Sequence, residues 1–259
     1  MLAIERRNKI LETLQESGIV KVELLARKFN VSEMTIRRDL EKCEKEGRVF
    51  RCHGGAVLKE WVEHEDRYTI KSVSALDKKK RIAAFCLKYI NPGSAIFLDA
   101  GTTTMELAKL ILNIENLTVL TNDLAIALFL SSSNIRIIVL GGQVENYVGS
   151  IHGYVTERML DDLCVDIAFV GGAAIDQKFD LFTSMEGKVY FKRKLMQCAN
   201  RTYILLDSSK FFKQSLYRVN NLREYTKVIT DKKPIDTEWK YLKECGIDLI
   251  CVDDEKEEI

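Results

Sequence analysis

The chain has 259 residues, of which 46% are hydrophobic and 30% charged, with a formal net charge of +1. That length can bury one large core, or a small one beside a large one. The composition excludes a low-complexity protein, no apolar run approaches the roughly 18 residues of a membrane span, and the overall charge alone announces no nucleic-acid partner.

The start MLAIERRNKI lacks the apolar region of a secretion signal, so a cytoplasmic location is expected. Seven scattered cysteines without a CxxC pair suit reduced core thiols and predict no disulfide framework and no metal site. Ile4, Ile10, Leu11 and Leu14 repeat at helical spacing and predict a first helix that stops at Gly18. VELLARKF predicts a second, closed by Asn30, and Ser32 is a good N-cap for a third running to about Gly47. Two helices joined by a short turn match the helix-turn-helix pattern.

The third helix carries the chemistry. Ile36, Leu40 and Cys43 fall on one buried face, so Met34, Arg38, Glu41 and Lys42 point away from it, with Thr35 and Arg37 on the flanks. An exposed helix start bearing hydroxyls and adjacent arginines suits a major groove, because arginine donates bidentately to guanine or clamps phosphate. Ser32, Thr35, Arg37, Arg38 and Lys42 are therefore candidate DNA contacts. GRVFRCHGGAVL then reads as a hairpin wing with Arg51 and His53 near its tip. For His53 two readings stand level, a phosphate contact or a plain turn residue. Residues 1–58 hold twelve Lys/Arg against nine Asp/Glu, an excess too small to carry the DNA reading without the motif.

The stretch ELLARKFNVSEMTIRRDLEKCEKEGRVFRCHGGA resembles the N-terminal domain of the DeoR family of bacterial transcriptional regulators of sugar metabolism. Cys43 stands where such proteins commonly carry a leucine.

Residues 59–76 are polar and read as an irregular hinge. From Asp77 helices alternate with the strand-like runs SAIFLD, LTVLTN, IRIIVL, DIAFVG, YILLD, KVIT and DLICV. The expected class is α/β: a winged helix-turn-helix at 1–58 and a larger, mostly parallel α/β domain at 77–259. Ligands of such sheets collect at the carboxyl ends of the strands. Those ends read Asp99-Ala-Gly-Thr-Thr-Thr104, Thr121-Asn-Asp123, Gly141-Gly142, Gly171-Gly172 and Asp207-Ser-Ser-Lys210, all small, polar or charged.

Gly101 allows close approach of backbone to ligand, while Thr102, Thr103, Thr104 and the free amides of the next helix donate toward an anion. The pattern GxxxxGK[ST] is absent, so a nucleotide reading lacks support. Lys192 and Lys210 offer countercharge. Asp99, Asn122 and Asp176 are candidates for sugar hydroxyls, with structural capping an equal alternative for each.

LDAGTTTMELA, LTVLTN, LGG, AFVGGAAID, LLDSSK and VITD occur in the order of the DeoR-family effector domain, so the resemblance covers roughly residues 5 to 231. It implies a fold similar to ribose-5-phosphate isomerase and the coenzyme A transferases, with a phosphorylated sugar as effector, beside the GTTT loop, and no cofactor. Asp180-Leu181 departs from the family's common glycine before leucine. The expected function is a regulator, more often a repressor, of a sugar operon, binding double-stranded operator DNA as a homodimer or higher oligomer. The alternative is a sugar-phosphate isomerase, for which Asp99, Asp176 and Lys192 supply raw material.

Overall fold

The computed structural model describes residues 1–17, 19–52, 54–58, 60–62, 66–233 and 244–253. The N-terminal unit opens with α1 (Ala3–Ser17), β1 (Ile19–Lys21) and α2 (Val22–Phe29). Asn30 then adopts a left-handed conformation (φ 50°) and closes α2, as a residue tolerant of that region should. Ser32 caps α3 (Glu33–Lys45), accepting from the Thr35 amide at 3.2 Å. Ile10, Leu11 and Leu14 of α1 pack with Leu25, Ile36, Leu40 and Cys43 in one apolar core. Ile4 lies outside it, 67% exposed. The buried face of α1 starts instead at Arg6, whose Nε donates to Asp39 of α3 at 2.5 Å, a pairing that apolar periodicity does not reveal.

The wing is the antiparallel hairpin of β2 (Val49–Cys52) and β3 (Gly55–Leu58), and β1 joins it on the β3 side. Glycine is required at position 55 because a Cβ there would stand 2.1 Å from the Val20 carbonyl oxygen. Side chains alternate across a strand. Val49 and Ala56 therefore enter the winged-helix core, while Phe50 and Val57 join an apolar cluster of the C-terminal domain.

The segment read as an irregular hinge is built. It contains β4 (Glu60–Val62) and α4 (Tyr68–Val73), and α5 (Leu76–Cys86) follows. The chain continues through β5 (Ala95–Leu98), α6 (Thr102–Leu110), β6 (Thr118–Thr121), α7 (Leu124–Leu130) and β7 (Arg136–Val139). A short pair, β8 (Gln143–Val144) and β9 (Ile151–His152), precedes α8 (Tyr154–Leu160) and β10 (Val165–Gly171). Then come β11 (Ala174–Ile175), β12 (Asp180–Thr183), α9 (Glu186–Cys198) and β13 (Ala199–Leu206). β14 (Lys213–Ser215), β15 (Tyr217–Asn221), β16 (Lys227–Thr230) and β17 (Leu249–Cys251) complete the described strands.

The seven runs read as strands form a single parallel sheet in the order β17-β16-β13-β10-β5-β6-β7. Both faces are covered, which explains their near-continuous hydrophobicity. Ile96, Leu98, Ile167 and Phe169 face one apolar cluster with Ile82, Leu107 and Ile126 of α5, α6 and α7. Phe97, Ala168, Val170 and Ile204 face the other, with Leu160 of α8 and Phe191 and Leu195 of α9. A small antiparallel sheet, β11-β12-β15, lies outside the sequence reading. So does the parallel pair of β4 with β14, reinforced by Ser215 Oγ donating to the Val62 carbonyl at 2.6 Å.

Candidate functional site

Strand order reverses between β5 and β10: from β5 the chain winds outward through β6 and β7, and from β10 outward through β13, β16 and β17. A crevice opens at the carboxyl ends of two strands where the winding direction switches, the usual ligand position in such sheets. There a cavity of ≈ 140 Å³ is lined by Ala100 to Thr104, Gly171 to Ala173 and a ring of charged side chains.

The loop after β5 is held rigid by its neighbours. Asn122 Oδ1 accepts from the Ala100 amide at 2.9 Å, and Asp123 Oδ2 accepts from the Gly101 amide at 3.1 Å. Asp123 Oδ1 also caps α7 through the Ala125 and Ile126 amides at 2.7 and 3.2 Å. Burial nonetheless raises the Asp123 carboxyl above its ordinary range, against the lowering effect of those three amides.

Thr104 Oγ1 donates to the carbonyls of Asp99 and Gly101, at 2.6 and 2.8 Å. Two of the three threonines, Thr102 and Thr103, thus remain to serve the cavity. Gly101 is the N-cap of α6 and supplies no side-chain cap, so the first amides of α6 stay open to a ligand. Its backbone is extended (φ 168°), and a Cβ there would meet Thr104 Oγ1 at 3.4 Å. The glycine serves close approach rather than a left-handed turn.

Among the described residues six lysines line the cavity, Lys71, Lys79, Lys188, Lys192, Lys210 and Lys213, together with the carboxylates of Asp66 and Asp207. Lys192 is already matched. Its Nζ donates to Asp99 Oδ2 and, at 2.8 Å, to the Gly171 carbonyl, while the Gly171 amide donates to the same Asp99 oxygen at 3.1 Å. This buried pair pins the ends of β5 and β10 across the switch point. Lys79 Nζ donates to the carbonyls of Lys71 and Ser74 at 2.5 and 2.7 Å. Burial pushes its ammonium down to about 8, and Lys210 and Lys71 lower it while Asp207 raises it. Burial likewise lowers Lys210, with Lys71 and Lys213 adding repulsion against Asp207.

Of the residues the sequence singled out for a ligand, Gly101, Thr102, Thr103, Thr104, Lys192 and Lys210 meet at the cavity, and Asp99 stands behind Lys192. Asn122, Gly142 and Asp176 lie outside its lining. Asn122 is fully buried and braces the loop. Gly142 (φ 151°) passes Thr156 so closely that a Cβ would fall 2.1 Å from its hydroxyl. Asp176 Oδ1 accepts from the Lys178 and Asp180 amides at 2.9 and 3.0 Å and ties the β11–β12 turn. For Asn122 and Asp176 the structural alternative describes the geometry. Asp180, the departure from the family pattern, pairs with Arg218 at 2.8 Å away from the cavity.

Lys79 and Lys188 escaped the sequence reading, yet carried a signal. Lys79 shares a helical face with Ile82, Ala83 and Cys86, and Lys188 shares one with Lys192 and Leu195, all buried. Charged side chains repeating in step with a buried stripe are aimed inward, not at solvent.

At the other end of the chain Arg37, Arg38 and Lys42 are exposed on α3, and Thr35 is half-buried beside them. Ser32 spends its hydroxyl on the cap and on Thr35 Oγ1 at 2.9 Å. Arg37 pairs with Glu33 at 3.0 Å, and Arg51 of the wing with Glu44 at 2.8 Å. Asp39, inside the run RRDL, is not part of the exposed face but of the buried Arg6 pair. His53 lies outside the described residues. No helix among the described residues is long and apolar enough to cross a membrane, and none of their carboxylates, histidines and cysteines cluster as metal ligands.

A winged helix whose third helix exposes Arg37, Arg38 and Lys42, followed by a doubly wound domain with a lysine-lined cavity at its switch point, defines a DNA-binding transcriptional regulator with a sensor domain. Comparison with known proteins agrees: residues 6–62 match the DeoR-like helix-turn-helix domain and residues 74–232 the DeoR C terminal sensor domain. The chain belongs to the DeoR family of transcriptional regulators.

It is similar to the uncharacterised HTH-type transcriptional regulator YgbI of Escherichia coli K12, with 37% identity over 89% of this chain and 91% of that protein. It is also similar to the glycerol-3-phosphate regulon repressor of the same organism, with 30% identity over 90% of this chain and 93% of the relative. Ribose 5-phosphate isomerase A of Methanocaldococcus jannaschii is a distant structural likeness: TM-score 0.40, 19% identity, covering 53% of this chain and 55% of that one.

Proposed function

We propose that this regulator is a repressor of a sugar-metabolism operon whose DNA affinity is set by a phosphorylated sugar held at the β5–β10 switch point. The observation that carries the reading is the cavity itself: the open N-terminus of α6, with Thr102, Thr103 and several lysines, Lys79, Lys192 and Lys210 among them, lining the same space. Oriented amides and cations together select a compact anion, and the helix dipole adds to them. The name of the glycerol-3-phosphate regulon repressor supports a phosphorylated effector.

In this reading residues 1–58 bind operator DNA through Ser32, Thr35, Arg37, Arg38, Lys42, Arg51 and His53, and residues 77–259 bind the effector, with 59–76 between them. Arg38 is the foremost base or phosphate contact, since Arg37 and Arg51 must first leave Glu33 and Glu44. A single winged helix makes few base contacts, so the working form is a homodimer or larger oligomer reading paired half-sites in the cytoplasm. The protein acts without catalysis: Asp99 is spent on Lys192, and Asp176 on its turn, leaving neither as a proton-transfer base.

The test is a calorimetric titration of the full chain with phosphorylated sugars and their unphosphorylated parents. Saturable binding confined to phosphorylated compounds is expected. Binding of the parents alone, or of neither set, overturns the reading.

A further inference from the structure

The wing is held from two sides. Val49 and Ala56 enter the core that carries Ile36, Leu40 and Cys43 of α3, and Arg51 pairs with Glu44 of α3 at 2.8 Å. Phe50 and Val57, on the opposite face, belong to the apolar cluster of the C-terminal domain. Whatever shifts that cluster beneath the wing shifts the recognition helix too.

Residues 210–215 meet that cluster, the cavity and the strand after the wing at once. Lys210 and Lys213 line the cavity. Between them Phe211 and Phe212 are buried in the cluster that receives Phe50 and Val57. From Lys213 the chain runs as β14, paired with β4 and fastened to the Val62 carbonyl by Ser215. Val62 itself lines the cavity. The upstream end is anchored instead to the sheet: the Ser208 amide donates to buried Asp231 at 2.5 Å and the Ser209 amide to Asp207 at 3.0 Å.

Phe212 lies in the left-handed region (φ 61°), a costly conformation for a bulky aromatic. A residue stays there only where its surroundings impose it, and such outliers gather at switch regions. Here it divides the anchored turn from β14, with a cavity lysine on each side.

We propose that residues 210–215 carry effector occupancy to the winged helix. The ligand engages Lys210 and Lys213 on either side of Phe212, and the Phe211–Phe212 pair and β14 pass the displacement to Phe50, Val57 and β4. The proposal rests on the sugar-phosphate reading above and adds the route by which it acts. A packed, contiguous segment with two arrangements is what such coupling requires.

The experiment uses the full chain. Glycerol 3-phosphate, ribose 5-phosphate, glucose 6-phosphate and fructose 1-phosphate are titrated by calorimetry, and the tightest binder is used at saturation. DNA dissociation constants are then measured with and without it for wild type, Phe50→Ala, Phe212→Ala, Phe50→Leu and Leu160→Ala, the last truncating the same cluster from α8. Wild type should shift about fivefold or more. Phe50→Ala and Phe212→Ala should shift less than about twofold while keeping ligand affinity within about threefold, and Phe50→Leu and Leu160→Ala should respond as wild type. Hydrogen exchange of the wild type should show ligand-dependent protection at residues 49–52, 55–58 and 210–215, and this decides the matter if an alanine variant fails to fold. Wild-type response in both alanine variants, equal loss in Leu160→Ala, or unchanged exchange in the wing overturns the proposal and leaves sugar-phosphate binding standing. Binding without a shift in wild type removes the proposal together with the regulatory half of the reading. No binding by any of the four removes both.

Discussion

Replacing Thr103 by aspartate separates the proposed sensor from the fold that carries it. Thr103 lines the cavity in the first turn of α6, the proposed seat of the phosphate. A carboxylate there, about 5 Å from a phosphate of charge about −1.5 to −2, is repelled by about 5–7 kcal/mol at an effective dielectric of about 20. Solvent and side-chain relaxation reduce this, so we expect at least a hundredfold loss of affinity, about 3 kcal/mol. The same carboxylate favours the apo fold, since a negative charge at a helix start contributes about 0.3–1 kcal/mol. Thr103→Asp should thus keep or raise its melting temperature while losing sugar-phosphate binding by calorimetry. DNA binding, followed by fluorescence anisotropy on fragments selected from a random pool, should be retained but no longer respond to ligand. Ligand affinity within tenfold of wild type would refute the assignment of α6 as the phosphate cradle.

Three further outcomes are expected. Arg38→Ala should weaken DNA binding tenfold or more and flatten its salt dependence, with calorimetric ligand affinity unchanged; parallel loss of both would contradict the division of labour. Asp39→Ala strands buried Arg6 without its partner, and chemical denaturation of the winged helix should show a loss of about 3 kcal/mol; a change below about 0.5 would show that the pair is dispensable. Because burial holds Lys79 at about 8, below its unfolded value, the unfolded chain binds more protons above that pH and stability should rise from about pH 8 to 10. Phosphate affinity should fall over the same interval as Lys79 loses its charge, and Lys79→Met should remove most of both trends in paired melting and calorimetric measurements. An identical pH profile in the variant would exclude Lys79 as their source.

Much of the architecture was legible because it rests on local patterns. All seven strands of the parallel sheet announce themselves as short apolar runs, since a sheet buried on both faces leaves no polar alternation. The recognition helix is equally plain from Ser32 and the spacing of Ile36, Leu40 and Cys43. What stayed hidden depends on partners far along the chain. β4 forms only because β14, some 150 residues later, lies beside it, so residues 60–62 look like polar hinge when read alone. The strand ends were likewise legible only in part. Asn122 and Asp176 have the chemistry to hold a polyol, but Asn122 is consumed by the Ala100 amide and Asp176 by its own turn. Lys79 was obscured by the run DKKKR, in which one lysine of three faces inward.

The central claim is that occupancy of the cavity alters the affinity of the winged helix for DNA. Two-site coupling of this kind is commonly 1–3 kcal/mol, or about 5- to 150-fold. The most direct measurement is the DNA dissociation constant of the full chain at fixed salt, with and without a saturating phosphorylated sugar that binds by calorimetry. A shift of at least fivefold, abolished in Thr103→Asp, is the predicted result. Unchanged DNA affinity at full ligand occupancy would contradict the account, because a ligand indifferent to the two states cannot move them.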